Sequence, residues 1–97
     1  MNSNITIGKP ATYSGIKRIE VTYRDSEWYN SRTVTIAKHK DQDNWTAYVE
    51  TTSYDFSGPF APATKTRQYL AYYIPLAQAK KLAITHLEEY AKNLASD

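Results

Sequence analysis

One segment of the sequence, residues 75–94, carries apolar residues at helical spacing, whereas the residues before it alternate with the period of strands. The apolar positions of this segment are Leu76, Ala79, Leu82, Ala83, Leu87, Tyr90 and Leu94. Pro75 suits the first turn of a helix, because the N–H that proline lacks would have no partner there. A single amphipathic helix must bury its apolar side against another element, and only the preceding strands are available for that.

The residues before the helix predict an antiparallel sheet of three or four strands joined as a meander. Residues 18–24, 32–38 and 45–52 alternate between apolar and polar side chains, as strands with one buried face do. The polar run HKDQDN at residues 39–44 predicts a turn. Residues 67–73 predict a fourth strand, with Tyr69, Ala71 and Tyr73 on one side and Leu70 and Tyr72 on the other. We therefore expect an α+β fold with the helix packed on one face of the sheet.

The chain is expected to form a single domain over residues 1–97. Residues 1–15 predict an edge strand or a flexible arm, because Pro10 ends strand pairing there. Residues 54–66 predict the longest loop, and loops of this length often carry function. The core is expected to contain Ile19, Val21, Val34, Ile36, Trp45, Ala47, Val49, Leu76, Ala79, Ala83, Leu87 and Tyr90.

Composition excludes several classes of protein. The absence of cysteine excludes disulfide scaffolds and thiolate zinc sites. A net charge of +2 is too small to indicate a strongly nucleic-acid-binding or membrane-binding chain. No apolar run approaches the roughly 20 residues of a membrane span, and the N-terminal residues lack the apolar region of a signal peptide. A soluble cytoplasmic protein is expected.

The sequence contains no spacing that indicates catalysis, a cofactor or a metal. His39 and His86 have no third zinc ligand placed by spacing. Residues 41–44 resemble the start of a calcium loop, but the required glycine and bidentate glutamate are missing. Glu88 and Glu89 are neighbours on a helix and point about 100° apart, so they cannot act as an acid–base pair. We therefore expect a protein that is not an enzyme and binds no cofactor.

Nine tyrosines against two phenylalanines and three glycines are the unusual feature of the composition. Tyrosine suits half-buried sheet positions, and it is also enriched at binding surfaces, so both interpretations stand. In the second interpretation, aromatic side chains of the loops and the exposed sheet face meet a partner. The candidate contact residues are Trp28, Tyr29, Tyr48, Tyr54, Phe56, Phe60 and Arg67.

A second hypothesis is a small nucleic-acid-binding module, in which a sheet face stacks bases and neutralises phosphates. The candidate contacts are Lys17, Arg18, Arg24, Arg32 and Lys38, together with Tyr48. Glu20 and Glu50 fall on the same predicted face, and the aromatic motif of RNA-recognition sheets is absent. An ordinary solvent face of mixed charge remains the alternative.

The order of elements, a strand meander followed by a helix that opens IPLAQAK at residues 74–80, resembles small phage- and prophage-encoded inhibitors of bacterial defence, including anti-CRISPR proteins. The resemblance implies a non-enzymatic protein that acts in the bacterial cytoplasm and covers the surface of a larger host protein or ribonucleoprotein complex. The net charge of +2 favours protein–protein contact over DNA mimicry. A monomer or a homodimer is expected, and an oligomerising phage component that pairs exposed strand edges is a third hypothesis.

Overall fold

A computed structural model describes residues 4–25, 30–54 and 63–95 of the chain. These residues form β1 (Ile5–Ile7), β2 (Ala11–Tyr13), β3 (Ile16–Arg24), β4 (Ser31–His39), β5 (Trp45–Tyr54), β6 (Ala63–Ile74) and α1 (Leu76–Ala95). The α+β class, the antiparallel sheet and the C-terminal helix are confirmed. The predicted number of three or four strands is too low, because the described part of the sheet has six.

The sheet has the order β1-β3-β4-β5-β6, and β2 also pairs with β3 beyond the end of β1. Two short strands therefore occupy the N-terminal region, where one edge strand or an arm was expected. Ile5 lies opposite Tyr23, and Ala11 lies opposite Arg18. Pro10 lies between β1 and β2, so it interrupts the pairing of this region with β3 but does not end it. The N–H of Gly8, just before this interruption, donates to the carbonyl oxygen of Glu20 at 2.8 Å.

The predicted loop at residues 54–66 is wrong at both ends, because Tyr54 belongs to β5 and residues 63–66 belong to β6. Thr66 pairs with Thr51, and Ala63 pairs with Tyr54 at the end of β5. These positions are polar or small on both sides of the strand, so they give no alternating apolar pattern from which a strand could be predicted. Residues 55–62 lie outside the described residues.

The core lies between α1 and one face of the sheet. The expected core residues are all buried except Leu76 and Tyr90, which are half-buried and pack against the rest. Ala79, Ala83 and Leu87 are the buried residues of α1, and their spacing of four places them on one side of the helix. Each large aliphatic side chain buried here contributes roughly 1.5–3 kcal/mol. No helix among residues 4–25, 30–54 and 63–95 combines the length and apolarity needed to cross a bilayer.

Candidate functional site

The face of the sheet opposite α1, called the open face below, is covered by no other described element. Side chains of successive residues in a strand point to opposite sides, so alternate residues of β3 to β6 lie on this face. Its residues on β3 to β6 include Arg18, Glu20, Thr22, Thr33, Thr35, Ala37, Thr46, Tyr48, Glu50, Lys65, Arg67 and Tyr69. The open face is therefore polar in its middle and contains both signs of charge.

Exposed tyrosines are concentrated at two sides of the open face. Tyr13, Tyr69, Tyr72 and Tyr73 are 43–84% exposed, and Ile7 is the only other exposed large hydrophobic side chain among the described residues. Tyr13 pairs with Ile16 of β3 and therefore points to the same side as that residue. The rings of Tyr69 and Tyr72 stack with their centroids 4.9 Å apart and their planes at 21°. Tyr73 extends the group, with its centroid 6.5 Å from that of Tyr72.

An irregularity in β6 brings Tyr69 and Tyr72 to the same face. In a regular strand, residues three apart point to opposite sides, as the predicted alternation over residues 67–73 assumed. The register with β5 shifts twice, between Trp45 and Ala47 and between Ala47 and Tyr48, so β6 carries extra residues there. A bulge of this kind redirects side chains. The predicted separation of Tyr69 from Tyr72 is therefore wrong.

Tyr73 adopts a backbone conformation that is unusual for a bulky residue. Its φ angle is 54°, in the left-handed region. Such a residue costs on the order of 1 kcal/mol and persists only where the surrounding structure imposes it. Strain of this kind is concentrated at functional sites. Here it occurs at a tyrosine that remains 63% exposed.

Arg67 lies on β6, the edge strand of the described sheet, and contacts three neighbours on the open face. Its Nε donates to Oε2 of Glu50 at 2.9 Å, and its guanidinium carbon lies 4.5 Å from the ring centroid of Tyr48. Hydrogen bonds with Tyr69 and then with Glu50 raise the pKa of Arg67, so its charge is permanent. The hydrogen bond from Arg67 in turn lowers the pKa of Glu50. Much of the positive charge of Arg67 is thus balanced within the protein.

Tyr48 lies on the open face, as expected, but it is only 7% exposed. Arg67 covers its ring, and Tyr69 packs beside it with a centroid separation of 5.7 Å. Tyr48 therefore forms a buried layer on which the exposed side chains of Arg67 and Tyr69 pack, and it offers little surface to a partner. A groove of about 500 Å³ runs above it, bordered by Arg18, Tyr69 and Tyr72 among others.

Of the predicted partner contacts, the structure brings together Tyr48 and Arg67. Trp28, Tyr29, Phe56 and Phe60 lie outside the described residues. Tyr54 is the last residue of β5, and only its backbone is described.

The predicted basic contacts do not share a face. Arg18 and Arg24 fall on the open face, and Lys17 and Arg32 fall on the side of α1. Lys38 has the alternation of the α1 side but also borders the groove of the open face. The guanidinium carbon of Arg32 lies 4.3 Å from the ring centroid of Tyr90 on α1. Nζ of Lys38 donates to the carbonyl oxygen of Gln42 at 2.6 Å. The described residues therefore form no continuous basic track across the open face.

The histidines take part in local contacts. Arg32 Nη1 lies 3.3 Å from Nε2 of half-buried His86, which accepts this hydrogen bond in its neutral form. Burial, and then the charge of Arg32, lower the pKa of His86. Nδ1 of His39 lies 3.6 Å from a carboxylate oxygen of Asp41. In the part of the chain that the structure describes, no three His, Asp or Glu side chains are grouped to hold a metal.

Sequence reasoning missed Tyr13, Tyr69, Tyr72 and Tyr73 as candidate contacts. The cluster of three tyrosines within residues 69–73 was the available signal, but strand alternation divided it between two faces. No protein-family model matches the sequence, and no curated protein or solved structure is significantly similar to this chain.

Proposed function

We propose that this chain is a non-enzymatic inhibitor that binds a larger protein or ribonucleoprotein complex through the open face and acts by covering its surface. The observation that carries the proposal is the concentration of exposed tyrosines on this one face. Tyrosine and arginine are the residue types enriched at the energetic centres of protein interfaces. A tyrosine ring supplies a large contact area while ordering only two side-chain torsions.

The local structure of β6 supports the same proposal. A strand without the register shifts would place Tyr72 on the side of α1, away from Tyr69. The left-handed backbone conformation of Tyr73 lowers stability, yet the side chain of Tyr73 is not buried in the core. A costly backbone conformation at an exposed aromatic residue is better explained by binding than by folding.

The distribution of charge favours a protein partner over nucleic acid. Glu20 and Glu50 lie among the cations of the open face, and Arg67 is already paired with Glu50. Binding of a phosphate backbone gains its affinity from several cations that each neutralise a phosphate. Protein interfaces instead combine aromatic anchors with charges of both signs.

Nucleic acid remains the second candidate because of one observation, the parallel pair of Tyr69 and Tyr72. Exposed aromatic rings of this kind stack unpaired bases without sequence preference. Arg18 and Lys65 would supply the nearby positive charges on the same face. This binding would weaken strongly as the salt concentration rises.

The proposed target class, a bacterial defence complex of the CRISPR type, is supported by the resemblance in element order. An inhibitor that occludes a surface needs no catalytic group, cofactor or metal. Its site of action would be the cytoplasm of a bacterial cell. The matching test is the plating efficiency of phage on strains with active CRISPR immunity, with and without expression of the chain. Unchanged plating across a panel of such systems would refute this target class while leaving the binding surface untested by that assay.

The binding surface is tested by affinity capture from a bacterial lysate, with nuclease and high salt as separate treatments. The double variant Tyr69→Ser with Tyr72→Ser removes the stacked pair, and Lys81→Ser on the exposed side of α1 is the control. We expect one large complex that survives both treatments, is lost with the double variant and is kept with the control. Equal capture by all three proteins would refute the role of the open face. Loss on nuclease or salt treatment would favour nucleic acid.

A further inference from the structure

Arg18 is the side chain at which three depressions of the open face meet. It borders the groove of about 500 Å³ next to Tyr69 and Tyr72. It also borders a depression of about 350 Å³ next to Glu50, and one of about 390 Å³ next to Tyr13. No other described residue borders all three.

The guanidinium of Arg18 is available to a partner. Its side chain is exposed and forms no hydrogen bond or ion pair with any described residue, although its charge, after those of Arg67 and Lys65, helps to lower the pKa of Glu50. Arg67, by contrast, is paired with Glu50. Glu20 borders two of the same depressions without forming an ion pair with Arg18. An exposed guanidinium without a hydrogen-bonded partner can bind a carboxylate by donating two parallel N–H bonds to its oxygens, the bidentate geometry that arginine favours.

The spacing of the aromatic groups sets the size of the ligand. Tyr13 lies on β2 beside β3, and Tyr69 and Tyr72 lie on β6. Four strand-to-strand steps of about 4.8 Å separate β2 from β6, which gives a span of roughly 19 Å. A single side chain or one nucleotide is too short to reach both groups. An extended segment of about six residues, at about 3.3 Å each, covers this distance.

We infer that the partner presents an acidic segment of about six extended residues, which crosses the strands of the open face with a carboxylate over Arg18 and apolar or aromatic side chains on the two groups of tyrosines. The inference rests on the proposed function and adds the chemistry of the partner. Charge complementarity selects a single carboxylate at Arg18 over a polyphosphate chain, because further negative groups along the segment would lie against Glu20 and Glu50.

Lys17 provides a matched control for Arg18. The two residues are adjacent on β3 and carry the same charge, but Lys17 points to the side of α1. Arg18→Glu and Lys17→Glu therefore make the same change in net charge on opposite faces. Arg18→Gln is the milder variant, and the melting temperatures of all three confirm that each is folded.

The test is selection of displayed random peptides of about twelve residues, twice the expected span, against the full chain. The best peptide is then synthesised, and its affinity is measured by fluorescence polarisation. We expect selected peptides to be enriched in Asp and Glu between apolar residues. Affinity should fall about tenfold or more with Arg18→Glu, whereas Lys17→Glu should change it by about twofold or less. Replacing the peptide carboxylate by lysine should restore binding to Arg18→Glu.

Several results would overturn the inference. Selected peptides without acidic residues, or equal losses for Arg18→Glu and Lys17→Glu, would remove Arg18 from recognition. An oligothymidylate that competes with the peptide and binds more tightly would replace the protein segment by nucleic acid. Loss of peptide binding with Tyr69→Ser and Tyr72→Ser, but not with Arg18→Glu, would reject the acidic segment and retain the proposed function. Peptide binding that none of these variants changes would reject both.

Discussion

Replacing Tyr48 by alanine should unfold the protein much more readily than replacing Tyr72, although both tyrosines lie on the same face. Tyr48 is 7% exposed beneath Arg67 and Tyr69, whereas Tyr72 is 58% exposed. Burial of an aromatic side chain removes about 150–250 Å² from water, worth about 4–6 kcal/mol at 25 cal/mol per Å². That figure is an upper bound, because the unfolded chain is itself partly compact.

The expected loss of unfolding free energy for Tyr48→Ala is therefore about 3 kcal/mol, at the low end of aromatic-to-alanine changes. Arg67 is long and can settle into part of the space that the ring leaves. Tyr72→Ala removes a stacked but mainly hydrated ring and should cost about 0.5–1 kcal/mol. For a chain of this size, the two variants should melt about 12–24 °C and about 2–8 °C below the original protein, respectively.

Urea unfolding followed by circular dichroism measures both free energies under the same conditions. Tyr48→Phe is the control, since it keeps the ring and removes only the hydroxyl. A loss below about 1 kcal/mol for Tyr48→Ala would refute the conclusion that this ring supports the open face from below. Equal losses for Tyr48→Ala and Tyr72→Ala would refute the division between a buried support and exposed contacts.

Three further predictions concern other parts of the fold. Lowering the pH from 7 to 5 should reduce stability, because folding lowers the pKa of His86 from its usual 6.5, so that the unfolded chain binds a proton more readily than the folded chain. Thermal melts of His86→Gln should show a smaller loss of stability over this pH range. Ala83→Leu should cost about 1–3 kcal/mol by overpacking the contact between α1 and the sheet, whereas Ala77→Leu on the exposed side should change stability little in urea titrations. The unfolding free energy of Tyr73→Gly should stay within about 0.5 kcal/mol of that of the original protein, because the relief of strain at φ 54° offsets the greater flexibility of glycine. Tyr72→Gly should lose about 1 kcal/mol or more, and comparable losses for the two variants would argue against strain at Tyr73.

The helix and the core could be predicted because both depend on local spacing. Apolar residues three and four apart define the buried side of α1, and alternation in β3 to β5 identifies the sheet residues that face it. Each of these patterns can be read along a single segment, without knowing which strand it pairs with. Leu76 is less buried than expected because it is the first residue of α1. Tyr90 is also only half-buried, although its ring packs against Tyr23 and beneath Arg32.

The exposed tyrosine group could not be predicted in the same way. The side on which a strand residue lies depends on an unbroken register, and the shifts between β5 and β6 are properties of the pair. Nothing within residues 69–73 marks the bulge by a glycine, and the left-handed residue is instead Tyr73. The alternation rule therefore assigned Tyr69 and Tyr72 to opposite faces.

The division of the basic residues, by contrast, was already present in the sequence. Lys17 and Arg18 are adjacent in a strand, so they cannot point to one face. Arg32 and Lys38 share the parity of Val34 and Ile36, which were assigned to the core side. Grouping these cations as one nucleic-acid surface overlooked the same rule that correctly identified the core.

The two faces of the sheet combine a well-packed side with a strained and aromatic side. Small domains are stable by only about 5–15 kcal/mol, so a conformation such as that of Tyr73 uses a measurable part of the total. Residues selected only for folding would replace this arrangement by a regular, polar edge strand. If the open face binds a partner, substitutions that regularise β6 should conserve or raise stability and weaken binding, as stability and activity often oppose each other at functional sites. Substitutions that regularise β6 and raise stability without weakening binding would break that link and remove Tyr72 and Tyr73 from the binding surface.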